Sequence, residues 1–140
     1  MILKDKIRAL IVEPNKEPYE MILENGLKSR QKLVGGLIEY CYLLDDDSVA
    51  LICNEEGKIL GLPFNREIGY DVICGNFIIV GDNGSGEDLS LTDEQINKYK
   101  ERFGKESIRK TNKVIENLFN KKGVERWENV ESNSFSWKNS

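Results

Sequence analysis

Histidine is absent from this chain of 140 residues, and cysteine and proline are scarce. Without histidine there is no Ser-His-Asp or Cys-His pair for nucleophilic catalysis, and no imidazole to act as a general base. The three cysteines, Cys41, Cys53 and Cys74, include no CxxC spacing, so we expect no metal site. Their odd number and strand-like surroundings predict reduced, buried thiols.

Long apolar runs and an excess of basic charge are also missing. Charged residues follow Met1-Ile2-Leu3 at once, so we predict no signal peptide or membrane span and a cytoplasmic location. The net charge of −4 disfavours unspecific binding to nucleic acid or anionic membranes, which needs clustered Lys and Arg. A chain of 140 residues suits one domain that folds without disulfides or metals, and we expect no cofactor.

The order of apolar segments predicts an α+β fold. We expect a mostly antiparallel sheet of four or five strands, packed by one N-terminal helix, with two C-terminal helices. The predicted strands are residues 7–12, 37–44, 49–53, 58–62 and 71–80, the last with a bulge at Gly75. Helical spacing predicts a first helix within residues 19–34, ended by Gly35-Gly36. A capping box at Thr92 begins the second helix, and a third follows from Ile108 until Gly123.

Residues 1–123 form the predicted domain, and residues 124–140 form a polar tail with Trp127, Phe135 and Trp137. The C-terminal helices carry apolar faces that offer surface for a homodimer or a higher homo-oligomer. Those faces bear Ile96, Tyr99, Ile115, Leu118 and Phe119.

Residues 54–66 are the most informative stretch for function. A hairpin does not need Asn65 and Arg66 directly after Pro63-Phe64. Arg66 offers a planar fork for phosphate or carboxylate, and an asparagine amide can bind a base or ribose edge. Asn54, Lys58, Asn65 and Arg66 are therefore candidate ligand-binding residues. The alternative is a surface ion pair between Arg66 and Glu67 or Glu55.

Two further features extend this candidate site. Tyr70, like Tyr40 and Tyr42, can stack on a nucleobase, although the apolar neighbours of Tyr40 and Tyr42 favour core packing for those two. The glycine-rich loop at residues 81–88, with Asp82, is either a lid over a ligand or a flexible connection. It lacks the Lys-Ser/Thr end of a phosphate-binding loop.

Acidic residues give weaker candidates. Asp45-Asp46-Asp47 is either a cation site or a solvated turn, and adjacent acids favour the turn because calcium loops alternate their ligands. Glu13 and Glu39 form a carboxylate pair only if the fold brings them together. Whether the protein is an enzyme stays open, with a non-catalytic role favoured.

Several segments in order carry a family resemblance: residues 7–14, 33–39, 54–58, 61–66, 73–81 and 91–95. Together, over about residues 7–103, they resemble the family called domain of unknown function 3846, found in bacteriophages, plasmids and conjugative elements. The family supplies no catalytic residues. The resemblance implies a small accessory protein, and accessory proteins of this kind often counter host defence.

That context gives three expectations. The first is a protein that binds and sequesters a nucleotide-derived immune signal without catalysis, through Asn54, Lys58, Asn65, Arg66, Tyr70 and Asp82. The second is an inhibitor that binds a host defence protein, with an acidic face that imitates nucleic acid. The third is a metal-independent enzyme acting on a nucleotide through Glu13 or Asp71.

Overall fold

The described part of the chain folds into two antiparallel sheets and three helices. The computed structural model describes residues 6–121, without the side chains of Phe119 and Lys121. The larger sheet has the strand order β2-β1-β7-β4-β3, and β5 pairs with β6 in a smaller sheet. The predicted α+β class is confirmed, and the five antiparallel strands of the larger sheet agree with the predicted four or five. The elements are β1 (Lys6–Val12), β2 (Tyr19–Glu24), α1 (Leu27–Val34), β3 (Ile38–Leu43), β4 (Asp46–Asn54), β5 (Phe64–Glu67), β6 (Val72–Cys74), β7 (Phe77–Gly81), α2 (Asp93–Arg102) and α3 (Lys105–Lys121).

Both faces of the larger sheet are buried, and each has its own core. On one face, Ile11, Ile52 and Ile78 pack with Val34 of α1. On the other face, apolar residues of β1, β4 and β7 pack with α2 and with the smaller sheet. Strands buried on both faces carry continuous apolar runs instead of alternation, which is why the central strands were predictable.

The first helix is shorter than predicted. Residues 19–24 form β2, an edge strand antiparallel to β1, and only Leu27–Val34 is helical. In β2 the inward residues are Met21 and Leu23, which is strand alternation. The helix ends at Gly35, whose φ of 81° is left-handed, and the amide N–H groups of Gly35 and Gly36 donate to the Gln31 carbonyl oxygen.

The predicted strand at residues 58–62 is wrong. These residues form consecutive turns, closed by hydrogen bonds from Leu60 N–H to Glu56 O and from Leu62 N–H to Gly57 O. Ile59 is therefore not packed in a sheet and is 84% exposed. The antiparallel pairing of β3 with β4 is correct, but the meander does not continue into a third strand.

The predicted strand at residues 71–80 is two strands in two sheets. Gly75 lies between β6 and β7 with a φ of 86°, and its N–H donates to the Pro63 carbonyl oxygen at 2.7 Å. A Cβ atom there would lie 2.7 Å from Leu62 Cδ1. Gly75 is thus a break between sheets and not a bulge within one strand.

The capping box at Thr92 is confirmed: Thr92 Oγ1 accepts from Gln95 N–H, and Gln95 Oε1 accepts from Thr92 N–H. Ile96 and Tyr99 of α2 are buried in the domain's own core, so they offer no surface for a dimer. Leu118 of α3 is 44% exposed. Gly123 and the predicted tail lie outside the described residues.

Candidate functional site

The structure separates the residues predicted for the ligand site. Asn54, Lys58 and Tyr70 line one groove. Asn65 and Arg66 are buried, with 2% and 0% of their surface exposed. The sixth residue, Asp82, lies at the opposite end of β4 from Asn54, because its N–H donates to the carbonyl oxygen of Ser48.

Arg66 is a buried cation held by carbonyl oxygens. Its Nε and Nη2 donate to the Phe103 carbonyl oxygen at the end of α2, at 3.1 and 2.9 Å. Its Nη2 also donates to Lys16 O, and Nη1 donates to Asn65 Oδ1 at 2.7 Å and to Glu13 O at 3.4 Å. The side chain therefore joins β5, the loop after β1 and the end of α2.

The electrostatics of Arg66 follow from this burial. Desolvation lowers the pKa of its guanidinium to about 10, which still leaves it charged at neutral pH. The carbonyl groups at the C-terminus of α2 carry the negative end of the helix dipole and stabilise the cation. Arg66 thus has a structural role in this conformation, and it forms neither of the surface ion pairs considered from the sequence.

The side chains of Asn65 and Asn54 also join separate elements through hydrogen bonds. Asn65 Nδ2 donates to Val12 O at 2.9 Å and to Gly75 O at 2.8 Å. Asn54 Nδ2 donates to Val34 O at the end of α1, at 3.1 Å, and its Oδ1 accepts from Glu56 N–H. These amides satisfy carbonyl groups where regular structure ends.

The groove that contains Asn54, Lys58 and Tyr70 runs along β3, the outer strand of the larger sheet, and is called the edge groove here. Its volume is about 720 Å³. On the rim, Leu44 and Ile59 are 85% and 84% exposed. It is lined by residues 39–42 and Leu44, by Cys53, Asn54 and Glu55, by residues 57–59, and by Ile68 and residues 70–74.

The edge groove is acidic. Lys58, the groove's one basic residue, lies 2.5 Å from Asp71 through its Nζ atom. Burial of Asp71 is the largest single effect and opposes its ionisation, but the hydrogen bonds from Lys58 and from Val72 N–H, together with the charge of Lys58, outweigh it and lower the pKa of the carboxyl. Glu39 and Glu55 add two exposed acids. A phosphate group would therefore meet more negative than positive charge in this groove.

Backbone groups of β3 face the edge groove and solvent. The Leu37 carbonyl oxygen accepts from Glu55 N–H at 2.8 Å on the inner side. Because direction alternates along the regular part of the strand, the backbone groups of Ile38 and Tyr40 point away from the sheet. Tyr70 Oη donates to the Tyr42 carbonyl oxygen at 2.8 Å, so a groove side chain already uses this outer edge.

The glycine-rich loop does not cover the edge groove. Its residues 86–88 line a different hollow beside α1, together with Arg30 and Tyr40. Asp82 Oδ1 accepts from Gly84 N–H at 3.0 Å, which closes a turn inside the loop. The loop is therefore placed beside α1 and does not close over the predicted ligand residues.

Sequence reasoning missed a buried ion pair that holds this loop. Arg30 Nε lies 2.8 Å from Asp88 Oδ2, and the two side chains are 5% and 13% exposed. Tyr40 Oη donates to the same carboxylate at 2.8 Å, and burial together with Asp88 raises the pKa of Tyr40 to about 12. In the sequence, the only indication of this ion pair is that Arg30, a charged residue, lies within the apolar pattern of the predicted helix.

A second missed feature is a concave surface beside α3, called the basic cleft here. Its volume is about 680 Å³, and it lies between α3, the end of α2 and the turn after β5. Arg102, Lys110 and Arg109 form ion pairs with Asp45, Glu67 and Glu106, and Lys113 has none among the described residues. Four basic residues, Arg102, Arg109, Lys110 and Lys113, face two acids in its lining, Glu67 and Glu106.

The acidic candidates are separated or occupied. Glu13 follows β1 and Glu39 lies in β3, with β7 and β4 between them, so their strands are about 14 Å apart and the two acids form no carboxylate pair. Asp46 is half-buried and accepts hydrogen bonds from Tyr99, Lys98 and Ser48. Its carboxylate is therefore held in place by the fold, unlike the carboxylate of a solvated turn. In the described part of the chain, no cluster of three acidic or cysteine side chains can hold a metal ion.

Comparison with known proteins gives a family without an assigned activity. Residues 7–104 match the model of a domain of unknown function, DUF3846. The chain belongs to this family. No curated protein and no solved structure matches it. Across residues 6–121, the helices are too short or too polar to span a bilayer.

Proposed function

We propose that this protein is a binding protein that takes an extended segment of a partner protein along the outer edge of β3, in the edge groove. The observation that carries the proposal is the exposure of Leu44 and Ile59 beside the outer side of β3, which pairs with no other strand of residues 6–121. An exposed apolar patch and a free strand edge together favour protein binding, because an edge strand without protection invites pairing.

The backbone of β3 supplies the pairing groups. The carbonyl and N–H groups of Ile38 and Tyr40 point outward, as does the carbonyl group of Tyr42, so an added strand can bond to alternate residues. Tyr42 and Tyr70 are 49% and 53% exposed and offer flat contact surface to its side chains. Tyr70 must give up its hydrogen bond to the Tyr42 carbonyl oxygen when the partner strand pairs there.

The charge of the edge groove selects the partner segment. Glu39, Glu55 and Asp71 outnumber Lys58, which is itself neutralised by Asp71. Complementarity therefore favours a segment in which apolar residues alternate with Lys or Arg. In the context that the family resemblance implies, a phage or mobile element acting against host defence, we propose a host defence protein as the source of this segment.

The test uses isotope-labelled protein and a short peptide of alternating Val and Lys. We expect backbone amide shifts at Ile38, Tyr40 and Tyr42, and loss of binding when alternate peptide nitrogens are methylated. Leu44→Glu and Ile59→Glu should weaken binding, whereas Leu118→Glu on α3 serves as the matched exposed control. Shifts confined to other surfaces, or no shifts at all, would contradict the proposal.

Sequestration of a nucleotide-derived signal is the second candidate, and one observation favours it. The basic cleft gathers four cationic side chains in a protein whose net charge is −4. This concentration of positive charge suits a phosphorylated ligand better than the residues predicted from the sequence do. The nucleotide site proposed here is therefore the basic cleft and not Asn65 and Arg66.

Native mass spectrometry with cyclic dinucleotides and cyclic ADP-ribose isomers tests this candidate. A complex that survives transfer, weakens with Lys113→Glu and returns intact ligand on heating would support sequestration. Lys100→Glu on α2 is the control, because Lys100 is exposed but does not line the basic cleft. Absence of binding across the panel would leave the protein partner as the remaining proposal, and a cleaved ligand would show an enzyme.

A further inference from the structure

Two cysteines meet beside the edge groove. Cys41 Sγ of β3 lies 3.1 Å from Cys53 Sγ of β4. Cys41 pairs with Leu51 and Cys53 pairs with Glu39 in the strand register, so the two cysteines are diagonal neighbours. Cys41 is half-buried and lines the groove, whereas Cys53 is buried beneath it. A reactant in the groove can therefore reach Cys41 Sγ, and Cys53 Sγ is in contact with Cys41 Sγ.

We propose that Cys41 and Cys53 are an oxidisable dithiol that hydroperoxides convert to a reversible disulfide, and that this modification regulates the edge groove. The modification itself depends only on the two thiols. Its effect on partner binding rests on the proposed function.

The two cysteines have different roles in the reaction. The hydrogen bond with Cys53 lowers the pKa of the Cys41 thiol, although burial and the nearby Glu39 oppose this. The same hydrogen bond and burial raise the pKa of Cys53, which also lies 3.6 Å from the Glu39 carbonyl oxygen. Cys41 is therefore the attacking sulfur, and Cys53 is the resolving sulfur.

Hydrogen peroxide serves as the oxidant in this scheme. The Cys41 thiolate attacks one peroxide oxygen, the O–O bond breaks, and hydroxide leaves and is protonated to water, which gives a sulfenic acid. Cys53 sulfur then attacks Cys41 Sγ, the S–O bond breaks, and a second water leaves. Two thiols and one peroxide yield one disulfide and two waters, with both electrons supplied by sulfur. A dithiol reductant reverses the change.

Disulfide formation must move β3. Diagonal residues in an antiparallel pair have Cα atoms about 7–8 Å apart, beyond the usual range of roughly 4.4–6.8 Å for a disulfide. The register shift between Cys41 and Leu43 shows that β3 already departs from regular pairing here. The movement of β3 that accompanies disulfide formation displaces the outward backbone groups of Tyr40 and Tyr42. We therefore expect the disulfide form to bind the alternating peptide more weakly.

Cys74 is the matched control thiol. It lines the same groove, but burial raises its pKa to about 11, and among the described residues no other sulfur is in contact with it. Cys74→Ser should therefore leave oxidation unchanged. Cys53→Ser should trap Cys41 as a sulfenic acid that dimedone labels, and Cys41→Ser should prevent both products.

The measurement is intact mass and peptide mapping after treatment of the folded protein with hydrogen peroxide. The mass should fall by the two thiol hydrogens and recover with dithiothreitol. Trypsin leaves Cys41 and Cys53 in one fragment, so cleavage before Asp45 is needed to show two linked peptides. A disulfide that contains Cys74, or a Cys41 that alkylates no faster than Cys74, would overturn the proposal.

Peptide binding by the reduced and oxidised proteins separates this inference from the proposed function. If the reduced protein binds the peptide and oxidation forms the disulfide without weakening binding, regulation fails and the binding function stands. If the disulfide forms but neither form binds the peptide, the binding function fails and the dithiol stands as a modification site.

Discussion

Arg66 shows that an unusual residue in a sequence can have a structural cause. The Pro63-Phe64-Asn65-Arg66 segment looks like a ligand site because arginine and asparagine suit phosphate and base edges. The structure uses the same donors on its own carbonyl groups, at the ends of β1, α2 and the smaller sheet. Sequence reasoning identified the right segment but could not tell which acceptors the fold would bring to it.

Arg66→Ala should therefore unfold the domain more readily instead of removing a ligand contact. We expect the free energy of unfolding to fall by at least about 3 kcal/mol, because several buried carbonyl groups lose their donor and a cavity remains. Urea denaturation followed by circular dichroism measures this change. Arg109→Ala is the control, since Arg109 is exposed and, within residues 6–121, pairs only with Glu106 on its own helix. A stable Arg66→Ala protein would reopen the ligand role.

Asp46 is the carboxylate with the clearest consequence for pH. Desolvation opposes its ionisation, but hydrogen bonds from Tyr99, Ser48 and Lys98 dominate and lower its pKa. Because the folded pKa lies below the unfolded value, this stabilisation is present above the unfolded pKa of about 3.9 and is lost as the pH falls towards the folded pKa. Asp46→Asn should cost about 1–3 kcal/mol at pH 7 and reduce the loss of stability below pH 4.

Asp45→Asn is the neighbouring control for this experiment. The Asp45 side chain is 68% exposed and pairs with Arg102 at the surface, so its removal should change stability by less than about 1 kcal/mol. Urea titrations of all three proteins between pH 3 and pH 7 give the comparison. Equal acid sensitivity in the Asp46→Asn protein would assign the pH dependence to other carboxylates, such as Glu13.

At the level of elements, β2 and the turns at residues 58–62 mark the limit of pattern reasoning. Apolar residues between 19 and 34 fit a helical period. Residues 19–24 nevertheless form a strand that pairs with β1, and local spacing does not reveal this partner. Ile59 and Leu60 look like strand residues but lie on the surface, where they line or adjoin the edge groove. The continuous runs of β1 and β4 and the capping box at Thr92 were predictable because their signals are local.

Gly75 allows a test of the break between the sheets. Gly75→Ala should destabilise the domain by about 2 kcal/mol, from the left-handed φ and from contact with Leu62. Gly84→Ala provides a matched control, because Gly84 has a φ of 84° but no atom within 4 Å of an added Cβ. The difference between the two variants in thermal or urea unfolding measures the packing against Leu62. Equal losses would show that only backbone conformation matters.

At the scale of the whole molecule, the sequence predicted the α+β class but not the second sheet or the position of the grooves. Grooves form between elements that are distant in the chain, here β3 and β6. A single sequence does not show which distant segments lie close together in space. Residues 58–62 were predicted as a strand because they are apolar, but hydrophobicity alone does not distinguish a core strand from an exposed binding surface.

Surface and core apolar residues should respond differently to substitution. Replacing both Leu44 and Ile59 by Ser should leave the free energy of unfolding within about 0.5 kcal/mol of the original, because both side chains are solvent-exposed. Ile52→Ala, in the buried sheet, should cost about 2–5 kcal/mol. Urea denaturation compares the three proteins. A large loss in the Leu44→Ser, Ile59→Ser protein would show that these residues support the fold.

The strand order also governs how the chain assembles during synthesis. β7, at the centre of the larger sheet, is the last of its five strands to leave the ribosome, and it joins β1 on one side and β4 on the other. Until residue 81 emerges, the hairpins β1–β2 and β3–β4 each expose an apolar edge that has no partner. The nascent chain is therefore most exposed to aggregation and to chaperone capture just before β7 appears, and it is released from that risk by a single insertion.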